Sequence, residues 1–167
     1  MKIKIAAFMW RKCNKATLDS LLGFSSGQYH ITLHSHDYKE FFKGLKPDKD
    51  TELGGFEITV PIEPFDGPDP IPKCNITVRY MGRDSRRKDW NIRSQRPETA
   101  YKLWRQGRGF LDRASVGEND YIVIARDINN NFHARWIRTD DFGALPELMK
   151  EAISAAIAGW RDINDKY

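Results

Sequence analysis

The strongest constraint on the fold is a hairpin pattern in the last third of the chain. Residues 121–125 (YIVIA) and 132–138 (FHARWIR) are two β-rich runs, and the polar stretch 127–131 (DINNN) joins them. Asp and Asn favour tight turns because their side chains bond to nearby backbone groups and tolerate the left-handed conformation. The pattern therefore predicts two antiparallel strands joined by a turn.

Shorter β-rich runs occur through the rest of the chain. The sequence predicts strands over residues 2–9, 29–33, 56–62 and 75–80, with Pro61 either ending the third of these or placing it at a sheet edge. Many short strands separated by turns are typical of a β-sandwich or a β-barrel. We expect a mainly β domain with helices at its periphery.

Two segments have apolar residues at helical spacing. Tyr38, Phe41, Phe42 and Leu45 predict a short helix over residues 37–45. Residues 144–160 predict a longer C-terminal helix, because their apolar residues recur every three or four positions and so share one face.

Length and composition limit the classes of protein to consider. The 167 residues suit a single domain, 1–167, that can bury a substantial core. No apolar run is long enough to cross a bilayer, and the N-terminus lacks the apolar region of a signal peptide. We therefore expect a cytoplasmic protein with no membrane partner. Cys13 and Cys74 form no CxxC pair and are expected to be reduced thiols.

The positive charge of the chain is concentrated in one segment. Eleven basic and four acidic residues lie between Arg79 and Arg113, so this segment carries +7. The whole chain carries +4, which leaves −3 for the remainder. A cationic segment of this kind favours a polyanionic partner.

Residues 80–95, YMGRDSRRKDWNIRSQ, combine these cations with polar and acidic side chains. Arg donates two bonds to guanine, Asn and Gln pair with adenine, and a carboxylate accepts from the amino group of cytosine. Because a carboxylate weakens binding to phosphate, Asp89 favours base reading over charge attraction alone. A solvated basic loop is the alternative interpretation. A second polar stretch, residues 10–30, is less cationic, and an ordinary surface loop is the alternative there.

Metal and nuclease chemistry have weak support in the sequence. His30, His34 and His36 would need a further ligand of matching reach to bind a metal, and surface histidines are the simpler interpretation. Asp48 and Glu57 outline a magnesium-dependent nuclease motif, but Thr59 stands where such a motif has lysine. We predict no catalytic residue and no metal site.

Three segments together resemble the N-terminal DNA-binding domain family of EcoRII-type restriction endonucleases, which also occurs in the enzyme UbaLAI. They are residues 74–95, residues 104–109 (WRQGRG) and residues 119–137. The resemblance implies a DNA-binding pseudobarrel, an open β-barrel like the B-three domain of plant auxin-response-type transcription factors. It also implies two arms that grip the major groove: an N-arm, about residues 10–30, and a C-arm, about residues 81–95.

The resemblance implies DNA contacts from both arms. The implied C-arm residues are Arg83, Asp84, Ser85, Arg86, Arg87, Lys88, Asp89, Trp90, Asn91 and Arg93. The implied N-arm residues are Arg11, Lys12, Asn14, Lys15, Ser25, Ser26, Gln28 and His30. Arg87, Asp89 and Asn91 alternate, so on an extended arm all three would face the bases. Asn91 stands where the family has arginine, so the base read there is expected to differ.

The function implied by the resemblance is sequence-specific binding of double-stranded DNA through the major groove. The chain would be a monomeric target-recognition or effector domain of a type II restriction endonuclease, without a catalytic site or cofactor of its own. Magnesium would belong to a separate nuclease domain, covalently linked in the parent protein. Two alternatives stay open: a non-specific or RNA-binding protein, and a small magnesium-dependent nuclease.

Overall fold

The computed structural model describes residues 3–15, 30–34, 37–65, 73–86, 89–93 and 117–163. Within these ranges the strands are Ile5–Lys12 (β1), His30–His34 (β2), Lys49–Asp50 (β3), Phe56–Pro64 (β4), Cys74–Tyr80 (β5), Trp90–Arg93 (β6), Tyr121–Asp127 (β7), Phe132–Ile137 (β8) and Ala158–Asp162 (β9). A 3₁₀ helix spans Thr139–Ala144, and the α-helix α1 spans Glu147–Ala155. The predicted mainly β class with peripheral helices is confirmed. No helix in these ranges has the length and apolarity that crossing a bilayer requires.

The strands form one strongly curved sheet. Their order is β2-β6-β5-β4-β8-β7-β1-β9, with β3 added beside β4. The pairs along this order are antiparallel, except that β4 and β8 run parallel. The first and last strands of the order, β2 and β9, come close to each other. The sheet is therefore nearly closed and barrel-like.

Side chains link the strands on either side of the remaining opening. Arg11 of β1 donates from Nε to the carbonyl oxygen of Thr32 in β2, at 2.6 Å. Trp160 of β9 donates from its indole Nε1 to the carbonyl oxygen of Asp37, just beyond β2, at 2.7 Å. These bonds satisfy backbone carbonyls at the sheet edge, which an open edge would leave unpaired.

Alternate residues of the strands fill the barrel. Ile58, Val60 and Ile62 of β4 point into the core, whereas Thr59 and Pro61 are exposed. Strands β1 and β7 bury both faces, because their other faces support a second apolar cluster against helix α1. That second cluster contains Phe8, Trp10, Val123, Ala125, Ile137, Leu145, Ala152 and Ile153.

Strand β4 continues past Pro61, so the prediction that this proline ends the strand or marks a sheet edge is wrong. On the side away from β5, β3 pairs with β4 only at Phe56 and Glu57, and β8 pairs with it only from Ile62 onward. Pro61 falls between these two described partners, where the proline's missing N–H costs no ladder bond. In the same gap the N–H of Thr59 donates to the carboxylate of Asp48 at 2.6 Å.

The predicted helix over residues 37–45 is wrong, although Tyr38, Phe41 and Phe42 are buried and Leu45 is partly buried, as their spacing suggested. The segment is a series of turns, with an i to i+4 bond from Phe42 N to Tyr38 O followed by tighter i to i+3 bonds. Gly44 has φ +90°, which ends any helical course. The aromatic rings of Phe41 and Phe42 therefore fill the barrel end from turns.

The predicted helix over residues 144–160 is right only for its middle. Helix α1 ends at Ala155, Ala156 is extended, and β9 then pairs with β1. The indole Nε1 of Trp10 donates to Ala156 O at 2.9 Å. A Cβ on Gly159 would lie 2.8 Å from the Trp10 ring, so the close approach of β9 to β1 requires glycine there. Pairing with the free edge of β1 outweighs the local helical pattern.

Candidate nucleic-acid interface

Two connections that were predicted to bind DNA leave the sheet at opposite ends of one strand pair. In the β2–β6 register His30 lies opposite Arg93, and His34 lies opposite Trp90. The chain enters β2 from the N-arm at His30 and enters β6 from the C-arm at Trp90. Because β2 and β6 are antiparallel, the two entry points are separated by the length of the pair, roughly 10–13 Å.

The C-arm is anchored by backbone contacts on the turn between β3 and β4. The N–H of Met81 donates to Asp89 O at 2.9 Å and closes the base of the arm. The N–H of Asp84 donates to Leu53 O at 3.1 Å. Gly82 has φ +113°, and a Cβ there would overlap Leu53 O. Only glycine allows the arm to pack this closely against the neighbouring turn.

Beyond this anchor the described part of the C-arm exposes charged side chains. Arg83, Asp84 and Arg86 are exposed, and Arg83 Nε lies 3.6 Å from Asp84 Oδ2. A pair this solvated contributes little to stability, so both groups are free to exchange their partners. Ser85 Oγ donates to Gly82 O at 2.8 Å and thereby fixes the local turn. The arm therefore presents cations and a carboxylate on a structured base.

Trp90 is a core residue, and its prediction as a DNA contact is wrong. The side chain is 2% exposed because Trp90 begins β6 and points into the barrel. Its ring centroid lies 5.1 Å from Tyr80, 5.5 Å from Phe56 and 6.0 Å from Tyr38. The alternation of apolar Trp90 and Ile92 with polar residues indicates a strand. The prediction missed this strand because it has only four residues and follows a polar stretch.

Asn91 lies in β6 rather than on the C-arm, so the predicted arm of residues 81–95 is too long. Asn91 is 7% exposed, and its register partners are Arg79 of β5 and Thr32 of β2. Its Oδ1 has no hydrogen-bond partner among the described residues. Because β5 ends at Tyr80 and β6 begins at Trp90, the C-arm consists of residues 81–89. Within it, Asp89 is half-buried at the base.

The side of the sheet facing away from the barrel carries a polar row that crosses β4, β5, β6 and β2. Glu57, Arg79, Asn91 and Thr32 are consecutive cross-strand partners on β4, β5, β6 and β2. Their neighbours Ile58, Val78, Ile92 and Ile31 face the core. We call the four residues the outer row. The alternation of residue types in NITVRY of β5 indicates that Arg79 faces away from the core. The sequence prediction used Arg79 only as part of the cationic segment.

Arg11 is a structural residue, and its prediction as a DNA contact is wrong. The residue is 4% exposed, because β1 runs on to Lys12 and carries the Arg11 side chain into the seam beside β2. Nε donates to Thr32 O and Nη1 to Lys12 O. Burial lowers the pKa of Arg11, against the opposing effect of Cys13 and Tyr38. The bonds to two carbonyls explain why a buried cation is tolerated.

The remaining predicted contacts differ in position and exposure. Lys12 is half-buried in β1, whereas Asn14 and Lys15 are exposed at the start of the N-arm. His30 and Arg93 are placed by their backbones, opposite each other in β2 and β6. Five predicted contacts lie outside the described residues, namely Ser25, Ser26, Gln28, Arg87 and Lys88.

Acidic residues considered for nuclease chemistry have structural partners. Asp48 accepts the Thr59 N–H, and Glu57 lies 3.8 Å from Arg79. Among the described residues there is no group of three or more His, Cys, Asp or Glu side chains that could hold a metal ion. Cys13 is a buried free thiol, and burial raises its pKa to about 12.

Comparison with known proteins does not show a family for this chain. No protein-family model, no curated protein and no solved structure matches the chain.

Proposed function

We propose that this chain is a sequence-specific double-stranded DNA-binding domain that holds the major groove between its N-arm and C-arm. The observation that carries the proposal is that the points where the chain enters β2 from the N-arm and β6 from the C-arm lie at opposite ends of the β2–β6 pair. Their separation of roughly 10–13 Å compares with a B-DNA major groove about 12 Å wide. Two projections at this spacing fit against the two walls of one groove.

The chemistry of the described C-arm supports base reading in addition to charge attraction. Arg83 and Arg86 are exposed and suit contacts to phosphate or guanine. Asp89 sits at the base of the arm beside the outer row, where it is half-buried. A carboxylate at this position repels phosphate, so its useful partner in DNA is the amino group of cytosine or adenine.

The biological context that we propose is restriction. The order of strand, basic arm and hairpin in the sequence resembles that of the EcoRII-type N-terminal domain, and a barrel-like sheet is compatible with a pseudobarrel. In that context the chain acts as a target-recognition or effector module, and a covalently linked nuclease domain performs the magnesium-dependent cleavage. No residue of this module is assigned a catalytic role.

Selection from a random pool of duplexes, followed by sequencing, tests the proposal. We expect one short motif to be enriched, and the purified chain to bind it far more tightly than a scrambled duplex of equal length. Binding should weaken steeply with salt, because several phosphates are neutralised. An unenriched pool would contradict sequence-specific binding.

Two further measurements address the alternatives. If structured RNA displaces the selected duplex at equal concentration, the chain is an RNA-binding protein. If the chain cuts plasmid DNA in the presence of Mg²⁺ but not of a chelator, it is a nuclease in its own right.

A further inference from the structure

The outer row contains a cation whose present partner leaves it incompletely bonded. Arg79 and Glu57 are direct cross-strand neighbours, and Arg79 Nε lies 3.8 Å from Glu57 Oε1. That distance makes an ion pair but not a hydrogen bond. Arg79 Nε is buried and has no hydrogen-bond acceptor among the described residues, while the side chain as a whole is 26% exposed. The Arg79 side chain is thus partly exposed to solvent, whereas its Nε is buried without a hydrogen-bond acceptor among the described residues.

A second unsatisfied group lies next to it. Asn91, the register partner of Arg79 on β6, keeps its Oδ1 without a hydrogen-bond partner in the described part of the chain. Buried polar atoms in folded proteins almost always have a partner, and an exception points to a missing ligand or water. Two such atoms, Arg79 Nε and Asn91 Oδ1, belong to neighbouring residues of the outer row, so both can gain a partner from a group bound beside that row.

We propose that Arg79 is a DNA-phosphate contact on the floor between the arms, and that Glu57 is an internal competitor that holds Arg79 in the free protein. This inference rests on the proposed DNA-binding function. A phosphate and a carboxylate offer the guanidinium the same pair of acceptor oxygens, so one can replace the other. When DNA binds, Arg79 exchanges the long contact to Glu57 for hydrogen bonds to a phosphate of the groove wall.

The competition has a direct consequence for selectivity. A free guanidinium on this surface would attract any polyanion, and the adjacent carboxylate offsets that attraction when the arms are not engaged. Only a duplex held by both arms brings its backbone close enough to displace Glu57. The pair therefore lowers binding to incorrect sequences more than it lowers binding to the correct one.

The decisive variants are Arg79→Gln and Glu57→Gln, measured by fluorescence anisotropy on the selected duplex and on a scrambled duplex over a salt series. For Arg79→Gln we expect about fivefold weaker binding to the selected duplex, with a slope of log K against log salt that is smaller by about 1, and little change on the scrambled duplex. For Glu57→Gln we expect about threefold tighter binding, most marked on the scrambled duplex, and no gain when Arg79→Gln is also present.

A second ion pair between a basic residue and a glutamate, formed by Glu63 of β4 and by Lys73 just before β5, supplies the matched control. Lys73 Nζ lies 3.1 Å from Glu63 Oε1, at the other end of the β4–β5 pair. Glu63 is six positions from Glu57, or about 20 Å along the strand. Lys73→Gln and Glu63→Gln change the net charge by the same amounts as the two test variants. Because they lie far from the proposed phosphate contact, they should leave the salt slope at the parent value.

The outcomes separate this inference from the function on which it rests. If the parent chain binds no duplex, the proposed function fails. If the parent binds but Arg79→Gln keeps the parent salt slope, or Glu57→Gln binds no tighter, only the assignment of Arg79 is overturned. Where Arg79→Gln does not fold, Arg79→Lys should retain the slope, and the Glu57→Gln result still decides.

Discussion

His133 Nε2 lies 3.1 Å from Asp127 Oδ2, and both side chains are buried where the β7–β8 hairpin turns. The same carboxylate accepts the backbone N–H groups of Asn129 and Asn131, at 2.8 and 2.9 Å. His133 Nδ1 also contacts Pro64 O of β4, at 3.3 Å. One aspartate therefore organises the hairpin turn and, through His133, connects it to the neighbouring strand.

Replacement of Asp127 should destabilise the protein in a pH-dependent way. Burial raises the pKa of this carboxyl, but the hydrogen bonds from Asn131, His133 and Asn129 outweigh burial and hold the pKa below its ordinary value. A lowered folded-state pKa means that the carboxylate stabilises the fold above the unfolded value of about 3.9. This stabilisation is lost as the pH falls through the lowered pKa.

The measurement is urea unfolding of the parent and of Asp127→Ala across pH. We expect the variant to lose about 2–4 kcal/mol at neutral pH, because it removes four hydrogen bonds to the carboxylate, the fourth of them from Asn131 Nδ2. The difference between the two proteins should shrink as the pH falls below the unfolded pKa of about 3.9 and on through the lowered folded pKa. A difference that stays constant from neutral pH through this acid range would show that the charge of Asp127 does not matter.

Gly82→Ala should disturb the anchor of the C-arm. The residue has φ +113°, and a Cβ would overlap the carbonyl of Leu53, so backbone must move. We expect a loss of about 2–4 kcal/mol in the free energy of unfolding. Gly143→Ala is the matched control, because a Cβ at Gly143 meets nothing within 4 Å. Equal unfolding midpoints for the two variants would contradict the packing of the arm on the β3–β4 turn.

Arg11→Met should separate structure from DNA contact. The change removes two bonds to the carbonyls of Thr32 and Lys12 at the seam, which we expect to cost about 2–3 kcal/mol of stability. The folded variant should keep the parent salt slope for DNA, because the buried Arg11 of the parent contacts no phosphate. Lys15→Gln, which alters an exposed N-arm cation, should lower the salt slope and leave the free energy of unfolding close to the parent value. A reduced salt slope for Arg11→Met would restore Arg11 to the interface.

How far the sequence predicted this fold depended on how local each signal was. The hairpin around Asp127 was predicted correctly, because its strand pattern and its turn residues lie within one short stretch. The second half of the 144–160 helix failed because the edge of β1, distant in sequence, recruits Gly159 into β9. Arg11 looked like an arm cation because its burial depends on closure of the seam with β2.

The candidate site was predictable in its chemistry but not in its boundaries. The concentration of cations with Asp89 marked the C-arm region correctly as a connection between strands. Nothing local to WNIR showed that Trp90 would join an aromatic cluster from three other segments. The outer row was missed for a related reason, since Glu57, Arg79 and Thr32 become neighbours only through strand register.

Asp89→Asn tests base reading by the C-arm. If the carboxylate accepts from a base amino group, its loss should cost about 1–3 kcal/mol of binding to the selected duplex and relax one base position in a repeated selection. Binding to a scrambled duplex should stay equal or become tighter, because a negative charge is removed. The preference between the duplexes therefore falls even though the electrostatic attraction rises.

Asp84→Asn is the control for that charge effect. Asp84 is exposed on the same arm beside Arg83, and the substitution changes the net charge identically. We expect it to strengthen binding to both duplexes alike and to leave the selected motif unchanged. If Asp89→Asn behaves in the same way as Asp84→Asn, then Asp89 reads no base, and the C-arm recognises DNA through its cations alone.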